Sequence, residues 1–483
     1  MTSESELRAK FNEAGQNHVF TFWNELNLEE KNELLEQLSE FEPSNTNEIY
    51  KTAMGYTESG NVVEPLPKGS VATSDNPQYN DWNEHGLKLI SQNKVAVVLL
   101  AGGQGTRLGS SDPKGCYDIG LPSKKSLFLL QAERLSKLQN IAAAKYPGTK
   151  PVIPWYIMTS KPTRLATESF ILKEATFGGL VKNQIFFFDQ GVLPAFNKDG
   201  KIILEAKNKV SMAPDGNGGL YMAMANKGVL SDMKKRGVEH IHAYCVDNSL
   251  AKVGDPAFIG YCAASKAPVG AKVVRKNQPD EPVGVVCLKN KKFSVVEYSE
   301  ISKELSEQKE SDGKLTFFAG NIANHYYSLQ FLEHAKENDS IMPFHIAHKK
   351  IKCVDIKTHE LIKPTEPNGV KMERFIFDVF PLADKLAVFE VPRQDEFSPL
   401  KNAPKTGVDC PETCKRDLMR LHVKYLRQAG AIIAAPSATA LNTEWDSFFA
   451  NIENAVEISP LVSYNGEDLE AYKGREVKLP FNV

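Results

Sequence analysis

Residues 95–115, VAVVLLAGGQGTRLGSSDPKG, place an apolar run, a group of glycines and two cations in one segment. Gly102, Gly103 and Gly105 leave backbone N–H groups open to a ligand, because no Cβ shields them. Arg107 and Lys114, spaced along the same loop, suit a polyphosphate better than a single phosphate. The run ending at Leu100 and Ala101 is continuously apolar, as a strand covered on both faces should be. Its loop is then expected at the carboxyl end of a strand, where open α/β sheets bind ligands. Two common nucleotide loops do not fit. A G-x-G-x-x-G turn would need its third glycine at Leu108, and no acidic residue follows a second strand at the ribose-binding distance. A G-x-x-x-x-G-K-[ST] loop fails because neither Gly102 nor Gly103 has the partner glycine followed by lysine. A glycine-rich turn with solvated charges is the bland alternative.

Asp247 closes another apolar run, IHAYCVD. A carboxylate at a strand end can ligate the Mg²⁺ that accompanies nucleoside triphosphates, or it can cap a following helix. Other candidate ligands do not gather. His240 and His242 share a strand face without further partners, His345 and His348 lack the glutamate of H-E-x-x-H, and Cys410 with Cys414 is a lone C-x-x-x-C where a zinc site needs three or four ligands. All six are read as structural.

The elements that must position these residues alternate. After VAVVLL come a helix (SLFLLQAERLSKLQNIAAAKY, with Ser126 placed to cap it), a strand (VIPWYIMTS), a helix (RLATESFILKEA) and the strands QIFFFDQG and EHIHAYCVDN, with a helix starting at GNGGLYMAMANKGVLSDMKKRG between those two. Such alternation implies an α/β fold with a central, mostly parallel, Rossmann-like sheet flanked by helices. Hairpin-like runs follow, VGVVCLKNKKFSVVEYS and then FFAGNIANHYYSLQFLEHAK. Residues 1–90 read as a helical N-terminal domain, with Leu28, Leu34, Leu35, Leu38 and Phe41 near helical spacing. Residues 91–385 read as the central domain, and 386–483 as a small α+β C-terminal domain.

The 483-residue chain carries a net charge of -2, with 42% hydrophobic and 24% charged residues. No global field draws it to nucleic acid or membrane, so an anionic substrate must be met by local cations. No signal-peptide core and no apolar run of spanning length is evident. Seven cysteines, an odd number, fit reduced thiols in the cytoplasm better than a secreted disulfide framework.

The extended run LAGGQGTRLGSSDPKGCYDIGLPSKKSLF resembles the eukaryotic UDP-N-acetylglucosamine pyrophosphorylases. FDQGVLPA, APDGNGGLY, VVEYSE with FAGNIANH, and NGVKMERFIFD with SPLKNA extend the resemblance from about Trp23 to Pro480. It implies a nucleotidyltransferase whose central domain binds UTP and sugar and which makes UDP-N-acetylglucosamine and pyrophosphate from UTP and N-acetylglucosamine 1-phosphate. N-acetylgalactosamine or glucose 1-phosphate as substrate, and a sugar-nucleotide sensor without turnover, are the alternatives; a sensor should have lost a phosphate cation. Arg107 and Lys114 are then expected on the β,γ-phosphates and the leaving pyrophosphate, with the backbone of Leu100, Ala101, Gly102 and Gly103 holding the nucleotide. Gln190 offers a donor and an acceptor to the uracil edge, Gly216 lies where a side chain would strike the base, and Asn217 could reach the sugar. Glu297 and Asn321 are expected on sugar hydroxyls and the acetamido group, with Gly284 and Tyr298 shaping that pocket. By resemblance Lys371 meets UTP phosphate and Lys401 the sugar phosphate. Asp247 would hold Mg²⁺ or another divalent cation. The expected partners are these small molecules, neither nucleic acid nor membrane, and the expected state is a monomer or weak homo-oligomer.

Overall fold

The computed structural model describes residues 3–55 and 61–483. Its largest element is an 11-stranded sheet. In chain order, the strands on its main path are β1 (Val71–Thr73), β2 (Val95–Leu100), β3 (Trp155–Thr159), β4 (Ile185–Asp189), β5 (His240–Cys245), β6 (Val269–Arg275), β7 (Ala319–Ser328) and β8 (Leu386–Glu390). Across the sheet they run β1-β8-β6-β7-β5-β2-β3-β4. Every neighbouring pair is parallel except those of β7, which lies antiparallel to β5 and β6. The hairpin Val285–Lys289 with Lys292–Val296 joins β7 at Gly320, and its turn residues Asn290 and Lys291 both have positive φ. That turn matches the twist of the strands it connects.

All residues of β2 and β3 are buried, which is why both read as unbroken apolar runs. Val97, Leu99, Trp155 and Ile157 share one core with Leu135 of the helix Leu127–Lys145 and Phe258 of the helix Pro256–Ala264. Ser126 caps the first of these helices by accepting from the Leu129 amide at 3.2 Å, as its position before the apolar run implied. The single helix expected after Asn217 is instead two, Leu220–Asn226 and Val229–Lys235. Gly228, in the left-handed conformation, separates them.

The chain packs as two compact units. The smaller comprises Met1–Asn61, Gln190–Ala223 and Asn338–Asp378; the larger comprises Val62–Asp189, Met224–Glu337 and Val379–Val483. In the smaller unit, the helices Glu4–Glu13, Leu28–Leu38 and Pro43–Gly55 accompany a three-stranded sheet of His345–Lys349, Gly369–Glu373 and Phe196–Asn197. Phe11, Leu34, Leu38, Phe196, Val370 and Met372 form its core. Leu28 does not join them: it opens its helix after the Asn27 cap and is 76% exposed. In the larger unit β8, at the start of the expected C-terminal domain, is paired within the central sheet. The helix Pro411–Gln428 there buries Leu418, Leu421 and Leu426 in a core shared with Ile119, Leu127 and Leu130. All seven cysteines are free. Among the described residues no helix is long and apolar enough to cross a membrane.

Candidate active site

The sheet order reverses at β2. From there the chain builds β3 and β4 on one side, then returns to place β5 on the other. The carboxyl ends of β2 and β5 therefore form a topological switch point, where successive connections diverge and leave a crevice. The loop after β2 carries Arg107 and Lys114, and the turn after β5 carries Asp247. Because β7 is antiparallel to β5, its first residues, including Asn321, stand at the same edge.

The loop after β2 is folded on itself. Gln104 bridges Pro113, the Gly105 amide donates to the Asp112 carbonyl at 3.0 Å, and the Lys114 amide donates to the Gly103 carbonyl at 3.2 Å. Ser160, following β3, donates its hydroxyl to the Gly102 carbonyl at 2.8 Å. Leu100 and Ala101 are buried, and the Ala101 amide continues the ladder to Met158. A Cβ at Gly103 would meet open space, so the backbone there is approachable. Buried Leu108 anchors the loop in the core shared with the C-terminal helix, while its neighbour Arg107 is exposed.

Lys401 reaches the same edge on a strap. Asn248 bridges Pro399, the Leu400 amide donates to the Asp247 carbonyl at 2.8 Å, and the Lys401 amide donates to the Asp409 carbonyl at 2.7 Å. The charges converge on Cys245: burial pushes its thiol up to about 12, Asp247 pushes the same way, and Lys401 and Lys114 oppose. Asp409 is likewise raised by burial, with Lys401 lowering it and Asp247 raising it. Among the described residues, neither Arg107, Lys114 nor Lys401 forms an ion pair, and the half-buried Asp247 carboxylate forms neither hydrogen bond nor ion pair. No group of three or more His, Cys, Asp or Glu side chains gathers as a metal site among them. That donor set fits an ion keeping phosphate and water ligands, and does not fit a closed protein cage.

Asn321 sits in β7 beside a bulge. Lys272 of β6 faces Asn324 and the next residue, Val273, faces Asn321, so Ile322 and Ala323 are extra; Ala323 has φ 51°. A bulge of this kind re-aims a side chain. The Asn321 amide oxygen accepts from the Ala323 amide at 3.2 Å and lies 2.9 Å from His325 Nε2. Tyr327 hydroxyl lies 3.0 Å from His325 Nδ1. Burial, with the neighbouring His242 charge, pushes the His325 imidazole down to about 3. Neutral His325 thus donates to Asn321 and accepts from Tyr327. Gly284 accepts from the Asn321 amide N–H at 2.8 Å, and its own Cβ would lie 2.9 Å from the Glu297 carboxylate. Gly284, Glu297 and Asn321 are therefore together. Tyr298, next in the chain, is 53% exposed.

Gln190, Gly216, Asn217 and Lys371 belong to the smaller unit. The segment 215–218 is zipped to 374–376: the Arg374 amide donates to the Asp215 carbonyl, the Gly218 amide to the Arg374 carbonyl, and the Ile376 amide to Asn217 Oδ1 at 2.9 Å. Gly216 has φ 87° and ψ 172°, and a Cβ there would lie 2.3 Å from the Arg374 carbonyl oxygen. The neighbour that excludes a side chain is thus backbone of the same unit, a constraint the base alone does not account for. Lys371 alternates with buried Val370 and Met372 on the strand Gly369–Glu373 and forms no ion pair among the described residues. Gln190 is half-buried and follows β4 directly.

Sequence reasoning missed His325 and Asp215. Asp215 lies so close to Gly191 and Gly219 that a Cβ at either would enter its carboxylate. His325 follows Asn321 by four residues, a spacing that predicts a shared face only in an unbulged strand. Asp215 precedes a glycine and reads as turn.

The chain is 46% identical over 496 residues to the mouse (Mus musculus) UDP-N-acetylhexosamine pyrophosphorylase-like protein 1, covering 100% of this chain and 97% of that one. It is 44% identical over 492 residues to the UDP-N-acetylglucosamine pyrophosphorylase of Saccharomyces cerevisiae, covering 98% of each. The solved uridine diphosphate N-acetylglucosamine pyrophosphorylase of Trypanosoma brucei superposes with a TM-score of 0.83 at 30% identity, over 98% of this chain and 95% of that one. Residues 38–455 match the family described as UTP–glucose-1-phosphate uridylyltransferase. With a match over residues 38–455 and relatives similar along nearly their whole length, the chain belongs to this family.

Proposed function

We propose that the protein transfers uridylate from UTP to N-acetylglucosamine 1-phosphate, releasing pyrophosphate. The observation that carries this reading is a set of cations that form no ion pair among the described residues: Lys114 and Lys401, which act with Asp247 on Cys245, and Arg107 on the same loop as Lys114. A sugar phosphate is already an anionic nucleophile, so in-line attack on the α-phosphorus needs no general base. Catalysis then rests on orientation and charge neutralisation. Lys401 orients the attacking phosphate; Arg107 and Lys114 neutralise the departing pyrophosphate; and the backbone of Leu100 to Gly103 cradles the triphosphate. Lys371 is assigned to UTP phosphate, Gln190 and Gly216 to uracil, and Asn217 to the sugar. Glu297 and the Asn321 amide nitrogen select the sugar, with Gly284 and Tyr298 beside them. Asp247 would hold Mg²⁺ or another divalent cation, which supplies further charge neutralisation at the phosphates.

The test is pyrophosphate release from UTP with N-acetylglucosamine, N-acetylgalactosamine and glucose 1-phosphates, titrated with Mg²⁺. N-acetylglucosamine 1-phosphate should give the highest kcat/KM, and Asp247→Asn should raise the Mg²⁺ concentration required. Turnover with UTP but a preference for glucose 1-phosphate would overturn the sugar assignment. Full activity in excess chelator would overturn the metal.

A further inference from the structure

Behind the edge that carries Asp247, Lys401 and Asn321 lies a buried ionic cluster that no step of the reaction uses. Lys272, on β6, has no exposed surface. Its ammonium donates to Asp255 Oδ2 at 2.5 Å and to the Glu396 carboxylate. Lys252 Nζ lies 3.4 Å from the other oxygen of Glu396. Two ammonium groups thus face two carboxylates, and Asp255 and Glu396 are each 3% exposed. Burial raises the Asp255 carboxyl, but Lys272 and Lys252 outweigh it and hold the group below its ordinary value; the same carboxylates hold Lys272 above its own against burial.

Each partner leads to a different part of the site. Glu396 opens the strap that ends at Lys401: its carbonyl accepts from Asn248 Nδ2 at 2.7 Å, and Asn248 Oδ1 accepts from the Ser398 amide at 3.0 Å. Asp255 caps the helix Pro256–Ala264, accepting from the Ala257 amide at 3.1 Å, and so closes the segment that begins at Asp247. Lys272 is the β6 residue at which the bulge opposite Asn321 begins. Its partner across the ladder, Asn324, is held by His242 at 2.5 Å. Replacing a buried ion cluster with apolar side chains is often neutral or stabilising, so stability alone is a weak reason for one. Its directional bonds join three segments: β6 through Lys272, the turn after β5 through Asp255, and the strap through Glu396.

We propose that Lys272 and Glu396 are positioning residues for uridylyl transfer: their buried pair sets the Lys401 strap against the Asp247 turn and the Asn321 bulge. This rests on the assignment of Lys401 to the sugar phosphate. Glu396→Gln keeps the shape of the side chain and removes its charge; Asp255→Asn does the same while keeping the cap acceptor, and serves if the first variant does not fold. In the folded variant, kcat/KM for N-acetylglucosamine 1-phosphate should fall about 10- to 100-fold, the range expected when a reacting group is displaced by a fraction of a turn or of an ångström, with KM for UTP near the wild-type value. Combined with Lys401→Ala, the network substitution should add little further loss, because the group it positions is already gone. A lowered melting temperature with unchanged kinetic constants, or full additivity in the double variant, would overturn the proposal. Unaltered sugar-phosphate kinetics in Lys401→Ala alone would instead overturn the site assignment beneath it, and that result is recognisable because no network residue has been touched.

Discussion

Asp215 offers a direct test of how the smaller unit is built. Its carboxylate is pressed between Gly191 and Gly219, and Oδ1 is buried without a hydrogen-bond partner among the described residues. Burial raises its pKa from 3.8 to about 6; the Arg374 charge opposes this only in part, since that guanidinium is already bound to Asp339 at 2.6 Å. The folded state thus binds the proton more tightly than the unfolded chain does. The stabilising contribution of the protonated group is complete below the unfolded pKa and is lost as pH rises through about 6. At about 1.4 kcal/mol per pH unit, the difference amounts to roughly 3 kcal/mol at neutral pH. Asp215→Asn mimics the neutral carboxyl while keeping an oxygen toward Arg374. The variant should therefore exceed the wild type in stability by up to roughly 3 kcal/mol at pH 7.5 and match it near pH 4. Urea unfolding across that range, followed by tryptophan emission and by proteolysis within 190–223, measures both. A variant less stable than wild type at pH 7.5, or one with the same pH dependence, would refute the reasoning.

Arg107→Ala removes one preorganised charge at the leaving group and should lower kcat about 10²- to 10³-fold, or roughly 2.7–4 kcal/mol, in the pyrophosphate assay; near-normal turnover in the folded variant would remove Arg107 from the reaction. Asn321→Ala should raise KM for N-acetylglucosamine 1-phosphate with KM for UTP little changed. It should also cost about 1–3 kcal/mol in thermal stability, because His325 loses its acceptor; an equal rise in both KM values would show a general role. Gly216→Ala forces a backbone conformation that only glycine adopts freely, at about 1–3 kcal/mol, and drives a Cβ into the Arg374 carbonyl. Loss of folding or of UTP binding is expected, and a fully stable, active variant would contradict the packing described.

Much of the larger unit was legible because its signals are local. An apolar run buried on both faces, followed by glycines and cations, locates β2 and its loop without any partner being known. Asp247 was legible for the same reason, as the polar residue that ends an apolar strand. The parts that escaped depend on residues far apart in the chain. Phe196 pairs with Val370, and Asn197 with Gly369, which is how 190–223 and 338–378 come to pack with the N-terminal helices. Nothing within NGVKMERFIFD announces that Arg374 will wall in Gly216, so from sequence that glycine points only to the base. Likewise DEFSPLKNA looks like ordinary charged surface. Yet its Glu396 is 3% exposed and bound to Lys272, 124 residues earlier, where a lysine in an apolar strand reads as an interruption. Charge periodicity predicts solvent exposure only when no opposite charge waits in the core, and that condition belongs to the fold rather than to any window of sequence. The candidate site is therefore legible where polar residues follow directly on a strand end. It is hidden where one side chain sets the position of another, as His325 does for Asn321.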